Sequence, residues 1–319
     1  MALTGWLTAR RRTSGPDPAL RSGVIVSADE LIALRIRARS LVLSSRMRAT
    51  ASMSGGQHSR FRGRGIDYQE SRIYQPGDDI RHMDWQVTAR TGRPHTKLYR
   101  EERERPVIVL TDFGPTMRFG TREAFKSVIA ARAAALIGWA TIGQGDRIGA
   151  GLFDGSRHAE LPPTGGRRGV LRLIRELAGY SATPTGDHQP YALAQALGRL
   201  RRVARPGSLV FVISDFTDLN DEVVRHLARL RQHNDLIACQ VVDPLELIPP
   251  PPGRYGLSNG HDSAVLDTTT PELRQAYQQY FDSHHARVSD TLRRQAVARL
   301  QLVTGEDVVD GLRQGLATL

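Results

Sequence analysis

Residues 106–117, PVIVLTDFGPTM, place a short apolar run directly before an acidic residue, Asp112. Residues 208–216, SLVFVISDF, repeat this arrangement. Both runs are rich in branched apolar residues and show no polar alternation, which is typical of strands covered on both faces. A helical stretch follows each run, at residues 121–145 and at residues 220–232. This alternation predicts an α/β domain with a mainly parallel sheet and helices on both faces.

The rest of the chain continues the alternation of strands and helices. Two strands joined by an Asp-Gly turn are expected at residues 146–154 and 157–163. The other expected elements are helices at 166–178, 189–204 and 271–300, a strand at 236–243, and a closing strand and helix. We therefore assign residues 106–319 to one α/β domain with C-terminal helices.

Three segments precede this domain. Residues 1–26 are polar and rich in turn residues, and we interpret them as a flexible leader. Residues 27–57 are interpreted as a basic helix and linker, starting at Ser27 with Glu30 three positions later, as in a capping box. Residues 58–105 contain two strand-like runs around a Pro-Gly turn and are interpreted as a separate small β-rich element.

The charge of the chain favours an acidic partner. The 319 residues carry a net charge of +11, and eight arginines but no acidic residue lie between Leu31 and Ile66. A codon-biased genome is a competing explanation, because Lys97 and Lys126 are the only lysines among 44 basic residues. Phe61 is the only aromatic ring of the basic segment, which also lacks a nucleic-acid motif, so we expect no specific binding to nucleic acid.

Several classes of protein are disfavoured by what the sequence lacks. The only cysteine, Cys239, can form no internal disulfide. The apolar stretch 127–143 contains Arg132 and is shorter than the roughly 20 residues of a membrane-spanning helix. The sequence has no P-loop, no zinc-protease motif and no serine-hydrolase elbow. We expect a cytoplasmic protein without ATPase activity of its own and without a transmembrane segment.

A cluster of acidic residues lies in residues 72–90, RIYQPGDDIRHMDWQVTAR. Three interpretations compete for it: a catalytic carboxylate group, a metal site that includes His82, and a structural element. The arginines of the stretch favour ionised carboxylates and repel a cation, which argues against a proton donor and against a metal. The structural interpretation is favoured, with a partner-contacting surface and catalysis as the alternatives.

The structural interpretation assigns a role to each part of the motif. Pro76 and Gly77 form the turn, and Asp78 or Asp79 caps a short helix. Arg81 and Arg90 are expected to donate charge-assisted hydrogen bonds to Asp84, and Trp85 and Tyr74 are expected to supply apolar area that docks the element. The residues of this predicted structural motif are Arg72, Tyr74, Gly77, Asp78, Asp79, Arg81, Asp84, Trp85 and Arg90.

The motif R-x-Y-x-P-G-D-D-x-R-x-x-D-W-x-x-x-A-R and the two strand ends TDF and SDF together resemble the domain-of-unknown-function family DUF58, over roughly residues 58–245. The resemblance implies a Rossmann-like, von Willebrand factor A-like fold. It also implies a MoxR-type AAA+ ATPase as partner, with other von Willebrand factor A-like proteins as a second class of partner. It does not imply an enzymatic activity.

Domains similar to von Willebrand factor A often hold Mg²⁺ through a D-x-S-x-S motif, a threonine and a further aspartate. By this resemblance, Asp112 stands at the first position, Gly114 replaces the first serine and Thr116 the second. Asp215 stands at the position of the further aspartate. The resemblance thus implies a degenerate metal site of Asp112, Thr116 and Asp215.

Several residues compete for the position of the ligand from the second loop. Tyr191 stands where the threonine is expected, although Thr185 or Asp187 could reach. A competing interpretation is that Asp112 and Asp215 cap the turns that follow them. We expect no cofactor, and at most weak binding of Mg²⁺.

These observations favour a non-enzymatic adaptor that binds other proteins at the carboxyl ends of its strands. The residues expected on or beside that face are Asp112, Phe113, Thr116, Asp215 and Phe216. A metal-dependent hydrolase at the same strand ends is the first alternative. A basic surface that binds nucleic acid or anionic membrane is the second.

Overall fold

A computed structural model describes residues 23–43, 66–101, 105–183, 189, 191–258 and 263–318. The chain divides into two compact units. The larger unit comprises residues 1–49 and 106–319, and the smaller unit comprises residues 50–105.

The described residues form the following elements. The strands are β1 Ile66–Ile73, β2 His95–Glu101, β3 Pro106–Asp112, β4 Arg147–Phe153, β5 His158–Gly165, β6 Leu209–Ser214, β7 Asp235–Val242, β8 Arg254–Ser258, β9 Ser263–Asp267 and β10 Ala298–Val303. The α-helices are α1 Ala28–Ala33, α2 Trp85–Thr91, α3 Lys126–Gly143, α4 Gly166–Ala182, α5 Ala192–Val203, α6 Asp221–Arg231, α7 Pro244–Leu247, α8 Pro271–Arg294 and α9 Val308–Ala317.

Six of the described strands form the sheet of the larger unit. Their order is β10-β7-β6-β3-β4-β5, and every neighbouring pair is parallel except β4 and β5. Numbered along the chain, the six strands have the doubly wound order 3-2-1-4-5-6, so the winding direction reverses between β3 and β6. The predicted mainly parallel α/β sheet is confirmed.

Helices cover both faces of this sheet. Strand β3 therefore lies between two hydrophobic cores, which explains its apolar sequence. Val107 and Val109 belong to one hydrophobic core, which also contains side chains of α1, α3, α4 and α9. Ile108 and Leu110 belong to a second core, which contains side chains of α5, α6 and α8. Because successive side chains of a strand point to opposite faces, a strand between two cores needs apolar residues at every position.

Helix α3 is the central helix of the first core. Its residues from Lys126 to Thr141 are buried except Arg132, as expected for a helix that is apolar on all sides. Gly138 allows close packing on α4, because a Cβ atom at this position would lie 3.0 Å from Leu173 Cδ2. Among the described residues, no helix is long and apolar enough to cross a membrane.

The segment before the sheet packs on α3. Ser27 caps α1 by accepting a hydrogen bond from the Glu30 amide, as predicted. The Glu30 carboxylate does not close a capping box but pairs with Arg132 at 2.6 Å. Residues 23–26, assigned above to the flexible leader, are held in place: the Val26 amide donates to Ser181 Oγ at 2.9 Å.

Two arginines in the described part of the basic segment contact other residues of the larger unit. Arg35 lies over the Trp139 ring, and Arg37 pairs with Asp307. The predicted long helix stops at Ala33, and a short 3-10 helix follows at Arg37–Ser40. The basic residues from 44 to 65 lie outside the described residues.

Two features of the C-terminal region differ from the sequence prediction. The helix expected at 271–300 ends at Arg294, because strand β10 begins at Ala298 and pairs with β7. The antiparallel hairpin of β8 and β9 was not predicted. In the smaller unit, β1 and β2 are the two strands expected on either side of the acidic motif, and they pair antiparallel.

Candidate functional site

The candidate site lies at the reversal point of the sheet. Asp112 ends β3, and Asp215 directly follows β6, the neighbouring strand. Ligands of doubly wound proteins bind at this place, beyond the carboxyl ends of the strands. The structure therefore brings together the two aspartates that the sequence placed at strand ends.

Asp112 is buried, and each of its two carboxylate oxygens accepts a hydrogen bond. Its Oδ1 accepts a hydrogen bond from the Gly114 amide and its Oδ2 accepts one from Ser214 Oγ, both at 2.7 Å. A Cβ atom at position 114 would lie 3.0 Å from Asp112 Oδ1, so glycine permits this close approach. Burial, together with the negative charge of Asp215, raises the pKa of Asp112 to about 7.

Asp215 is held by a lysine that the sequence analysis did not connect with the site. Lys126 Nζ lies 2.8 Å from Asp215 Oδ2 and 2.8 Å from Glu246 Oε1. Burial opposes the charged form of Lys126, but the two carboxylates outweigh it and raise the pKa of the ammonium. Burial would also raise the pKa of Asp215, but the Lys126 charge and hydrogen bond lower it.

The fold explains why a charged lysine can be buried here. Lys126 is the first residue of α3, where the positive end of the helix dipole disfavours a cation and favours carboxylates. Glu246 belongs to α7, which begins directly after β7 and is capped by Asp243. One carboxylate from the loop after β6 and one from α7 thus contact the ammonium at the start of the buried helix.

A second set of hydrogen bonds fixes the loops around these charges. Asp243 accepts hydrogen bonds from the hydroxyls of Thr121 and Thr304. On α8, the ring Nε2 of His284 lies 3.3 Å from the carbonyl oxygen of Asp215, and that of His285 lies 3.1 Å from the carbonyl oxygen of Glu246. The loops that carry both carboxylates are therefore supported from α8 as well.

A small polar cavity lies beside Asp112 and Asp215. Its volume is about 20 Å³, enough for about one water molecule. The hydroxyl of Thr116 helps to lower the pKa of Asp215. The cavity is lined by Asp112, Gly114, Pro115, Thr116, Phe153, Gly155, Gln189, Ala192, Leu193, Ser214, Asp215 and Asp218.

The side chains of this site do not fit the metal site that the resemblance implies. Gly114 supplies no hydroxyl, both oxygens of Asp112 already accept hydrogen bonds, and Asp215 faces an ammonium. Tyr191 does not line the cavity; it caps α5 with φ +72° and is 53% exposed. Thr185 and Asp187 lie outside the described residues.

Comparison with known families identifies the chain. The model of the family described as "Protein of unknown function DUF58" matches residues 70–287. This protein belongs to the DUF58 family. The uncharacterized protein Rv1480 of Mycobacterium tuberculosis (strain ATCC 25618 / H37Rv) and the uncharacterized protein Mb1516 of Mycobacterium bovis are each 31% identical to it over 270 residues, which is 84% of either chain.

Solved structures similar to this DUF58 protein share little sequence with it. An aerotolerance-related membrane protein from Bacteroides fragilis is 12% identical, with a TM-score of 0.40 over 67% of this chain and 100% of that one. A von Willebrand factor type A protein from Catenulispora acidiphila is 12% identical, with a TM-score of 0.34 over 70% of this chain and 43% of that one.

Two aromatic residues predicted on or beside the docking face of this DUF58 protein are buried. The Phe113 ring packs against Tyr180, with 5.5 Å between the ring centroids. Phe216 is fully buried and has φ +56°, an uncommon conformation for an aromatic residue. Each ring follows a strand end and packs into a hydrophobic core, because removing apolar surface from water lowers the free energy of the folded chain. Neither ring can contact a partner in this conformation.

The acidic motif of the DUF58 family lies in the smaller unit, and most of its predicted turns and caps are present. Gly77 adopts φ +109° in the turn, and Asp79 accepts a hydrogen bond from the Arg81 amide. Arg72 pairs with Asp78 at 2.7 Å.

Asp84 has a different role from the predicted one. It caps α2, accepting hydrogen bonds from the Val87 amide and from the Ser71 hydroxyl. The Ser71 hydrogen bond is the main reason that the pKa of Asp84 is lowered. Arg81 and Arg90 form no ion pair with it among the described residues, so the predicted Asp84–arginine pairing is wrong.

The predicted apolar contribution of Trp85 is also wrong. Its side chain is 65% exposed, whereas Tyr74 is half-buried. Ile73 and Ile80, in the same motif, are exposed as well. The motif therefore carries three exposed apolar side chains.

Proposed function

We propose that this DUF58 protein is a non-enzymatic protein-interaction module that acts as an adaptor of a MoxR-type AAA+ ATPase in the cytoplasm. The observation that carries the non-enzymatic part is the ion pair of Lys126 and Asp215 at 2.8 Å. The carboxylate that a metal-dependent enzyme would need is already neutralised by the protein. The choice of partner rests on the family resemblance and on the lack of a P-loop in the sequence.

The size of the strand-end cavity further disfavours the hydrolase alternative. Asp112 has a pKa near that of an effective general base at neutral pH. However, the cavity beside it measures about 20 Å³, whereas ligand pockets typically measure about 300–1,000 Å³. Both Asp112 oxygens also accept hydrogen bonds from the protein itself, one from the Gly114 amide and one from the Ser214 hydroxyl.

The exposed side chains Ile73, Ile80 and Trp85 are the proposed contact surface for the ATPase. Exposed apolar groups often mark protein-interaction sites. Tryptophan in particular is enriched among the residues that dominate binding energy at interfaces. The family motif would then hold its turns and caps rigid in order to present this surface.

Affinity purification of the tagged protein from its native host, with and without ATP, tests the proposal. We expect an AAA+ ATPase to be recovered with the wild-type protein and to be lost with Trp85→Ala. Tyr280→Ala is the matched control, because this aromatic side chain is equally exposed but lies on α8. Recovery of no AAA+ ATPase would contradict the adaptor role.

A substrate screen tests the non-enzymatic part independently. The purified protein is assayed against phosphoester, peptide and glycoside substrates with Mg²⁺ or Mn²⁺, and we expect no turnover. Turnover that disappears in Asp112→Asn would show that the strand-end site is catalytic and would support the hydrolase alternative.

A further inference from the structure

We infer that Lys126 is a built-in cation that takes the role of a divalent ion at the strand-end site, so that the site is ordered without metal. This inference does not depend on the ATPase proposed above. It concerns only Lys126, Asp215 and Glu246 and the loops that carry them.

The Lys126 ammonium contacts two carboxylates from separate parts of the chain, as a bound metal ion would. Lys126 Nζ bridges Asp215 Oδ2, directly after β6, and Glu246 Oε1, on α7 after β7, at 2.8 Å each. The three side chains are 3%, 5% and 12% exposed, so water cannot neutralise the charges instead. A cation joined to two carboxylates from separate loops is the arrangement that hard metal ions form in proteins.

The residue type at this position supports the inference. Lysine is rare in this chain, where Lys97 is the only other one among 44 basic residues. Lysine ends in a compact point charge, whereas arginine ends in a broad planar fork. A compact charge fits between two converging carboxylates, as a metal ion does. Lysine, the less common basic residue of this chain, therefore stands at the position where the geometry requires a small charged group.

Removing the ammonium should turn the site into a real metal site. Shortening Lys126 would leave Asp215 and Glu246 around a vacated cation position. Two carboxylates completed by water are a sufficient ligand set for Mg²⁺ or Mn²⁺. We therefore expect a variant that lacks the ammonium to need a divalent ion that the wild-type protein does not need.

Titration with Mn²⁺ tests this inference, using calorimetry and thermal unfolding with and without chelator. We expect the wild-type protein to show neither Mn²⁺ binding at this site nor a change in Tm. Lys126→Ala should bind Mn²⁺ and gain several degrees in Tm on saturation. Both effects should disappear in Lys126→Ala/Asp215→Asn. Wild-type binding that is lost in Asp215→Asn would overturn the inference, as would a folded Lys126→Ala that ignores Mn²⁺.

A second variant covers the case in which Lys126→Ala does not fold. Lys126→Met/Asp215→Asn removes one charge of each sign, and it should be more stable in chelator than Lys126→Met alone. If the double variant is no more stable than the single one, Lys126 does not neutralise Asp215 and the inference fails.

Discussion

Two acidic groups of this protein, one in each unit, have the same residue type and opposite physical settings. In the larger unit, Asp112 and Asp215 are buried side chains at the ends of neighbouring strands. In the smaller unit, Asp79 is exposed, and its main contact is with the backbone two residues away. The comparison shows that burial decides whether an aspartate acts only on its own turn or needs a partner from a distant part of the chain.

The pKa shifts of the buried carboxyls depend on their partners, because Asp215 and Asp84 are buried as Asp112 is, yet both have a lowered pKa. Asp112 is buried beside another carboxyl, which raises its pKa to about 7. Asp84 in the smaller unit keeps its charge, because hydrogen bonds from Ser71 and from the start of α2 lower its pKa. Four predictions can sharpen or break this contrast between a buried site and a surface motif.

The largest effect is expected when the buried cation is removed. Lys126→Met leaves Asp215 and Glu246 without their shared partner, and the free energy of unfolding should fall by about 3–5 kcal/mol. Lys97→Met is the matched control in the smaller unit, where the loss should be below about 0.5 kcal/mol. Urea unfolding measures both. Equal losses for the two lysines would remove the contrast.

The pH dependence of stability should depend on Asp112. Its folded pKa, about 7, lies above the unfolded value, so its contribution to stability is complete below about pH 4 and is lost as the pH rises to about 7. Asp112→Asn has no ionisable group at this position and should not show this loss. The free energy of unfolding of the variant, measured relative to that of the wild type, should therefore rise by at most about 4 kcal/mol between about pH 4 and about pH 8.

Denaturant unfolding across this pH range provides the measurement. Asp79→Asn is the control for the same substitution at an exposed aspartate of the smaller unit. An Asp112→Asn profile parallel to that of the wild type would show that Asp112 is ionised throughout.

A smaller, local effect is expected at the cap in the smaller unit. Asp79→Ala removes the acceptor of the Arg81 amide, and the cost should be about 1 kcal/mol. Asp79→Asn keeps the acceptor and should remain close to wild type. Hydrogen exchange of the Arg81 amide measures the effect, which should be absent from α3. Faster exchange in α3 would show that the cap acts beyond its own turn.

The smallest change in stability is expected at Trp85. Because its indole is mostly exposed, Trp85→Ala should change the free energy of unfolding by less than about 0.5 kcal/mol while abolishing recovery of the ATPase. Trp139→Ala is the control: this indole is 3% exposed and donates to the Leu31 carbonyl, so its loss should cost about 3–5 kcal/mol. A large loss at Trp85 would restore the structural interpretation.

The sequence was sufficient for the features that depend on local patterns. Two apolar runs ending in aspartate predicted parallel strands, and parallel strands bring their carboxyl ends to one edge of the sheet. Asp112 and Asp215 therefore lie at neighbouring strand ends, as predicted. The cap at Ser27 and the turn at Gly77 were also predictable, because each is formed by residues within about three positions.

Only the tertiary structure decided which side chains meet and which remain exposed. Lys126 lies 89 residues from Asp215 and 120 residues from Glu246, and no local rule connects such positions. One signal was present, namely a lone lysine at the start of a long apolar helix, but it does not name its partners. The burial of Phe216 and the exposure of Trp85 likewise depend on how distant elements pack. Short-range hydrogen bonding is determined by the order of residues, whereas charge pairing and burial depend on the assembled chain.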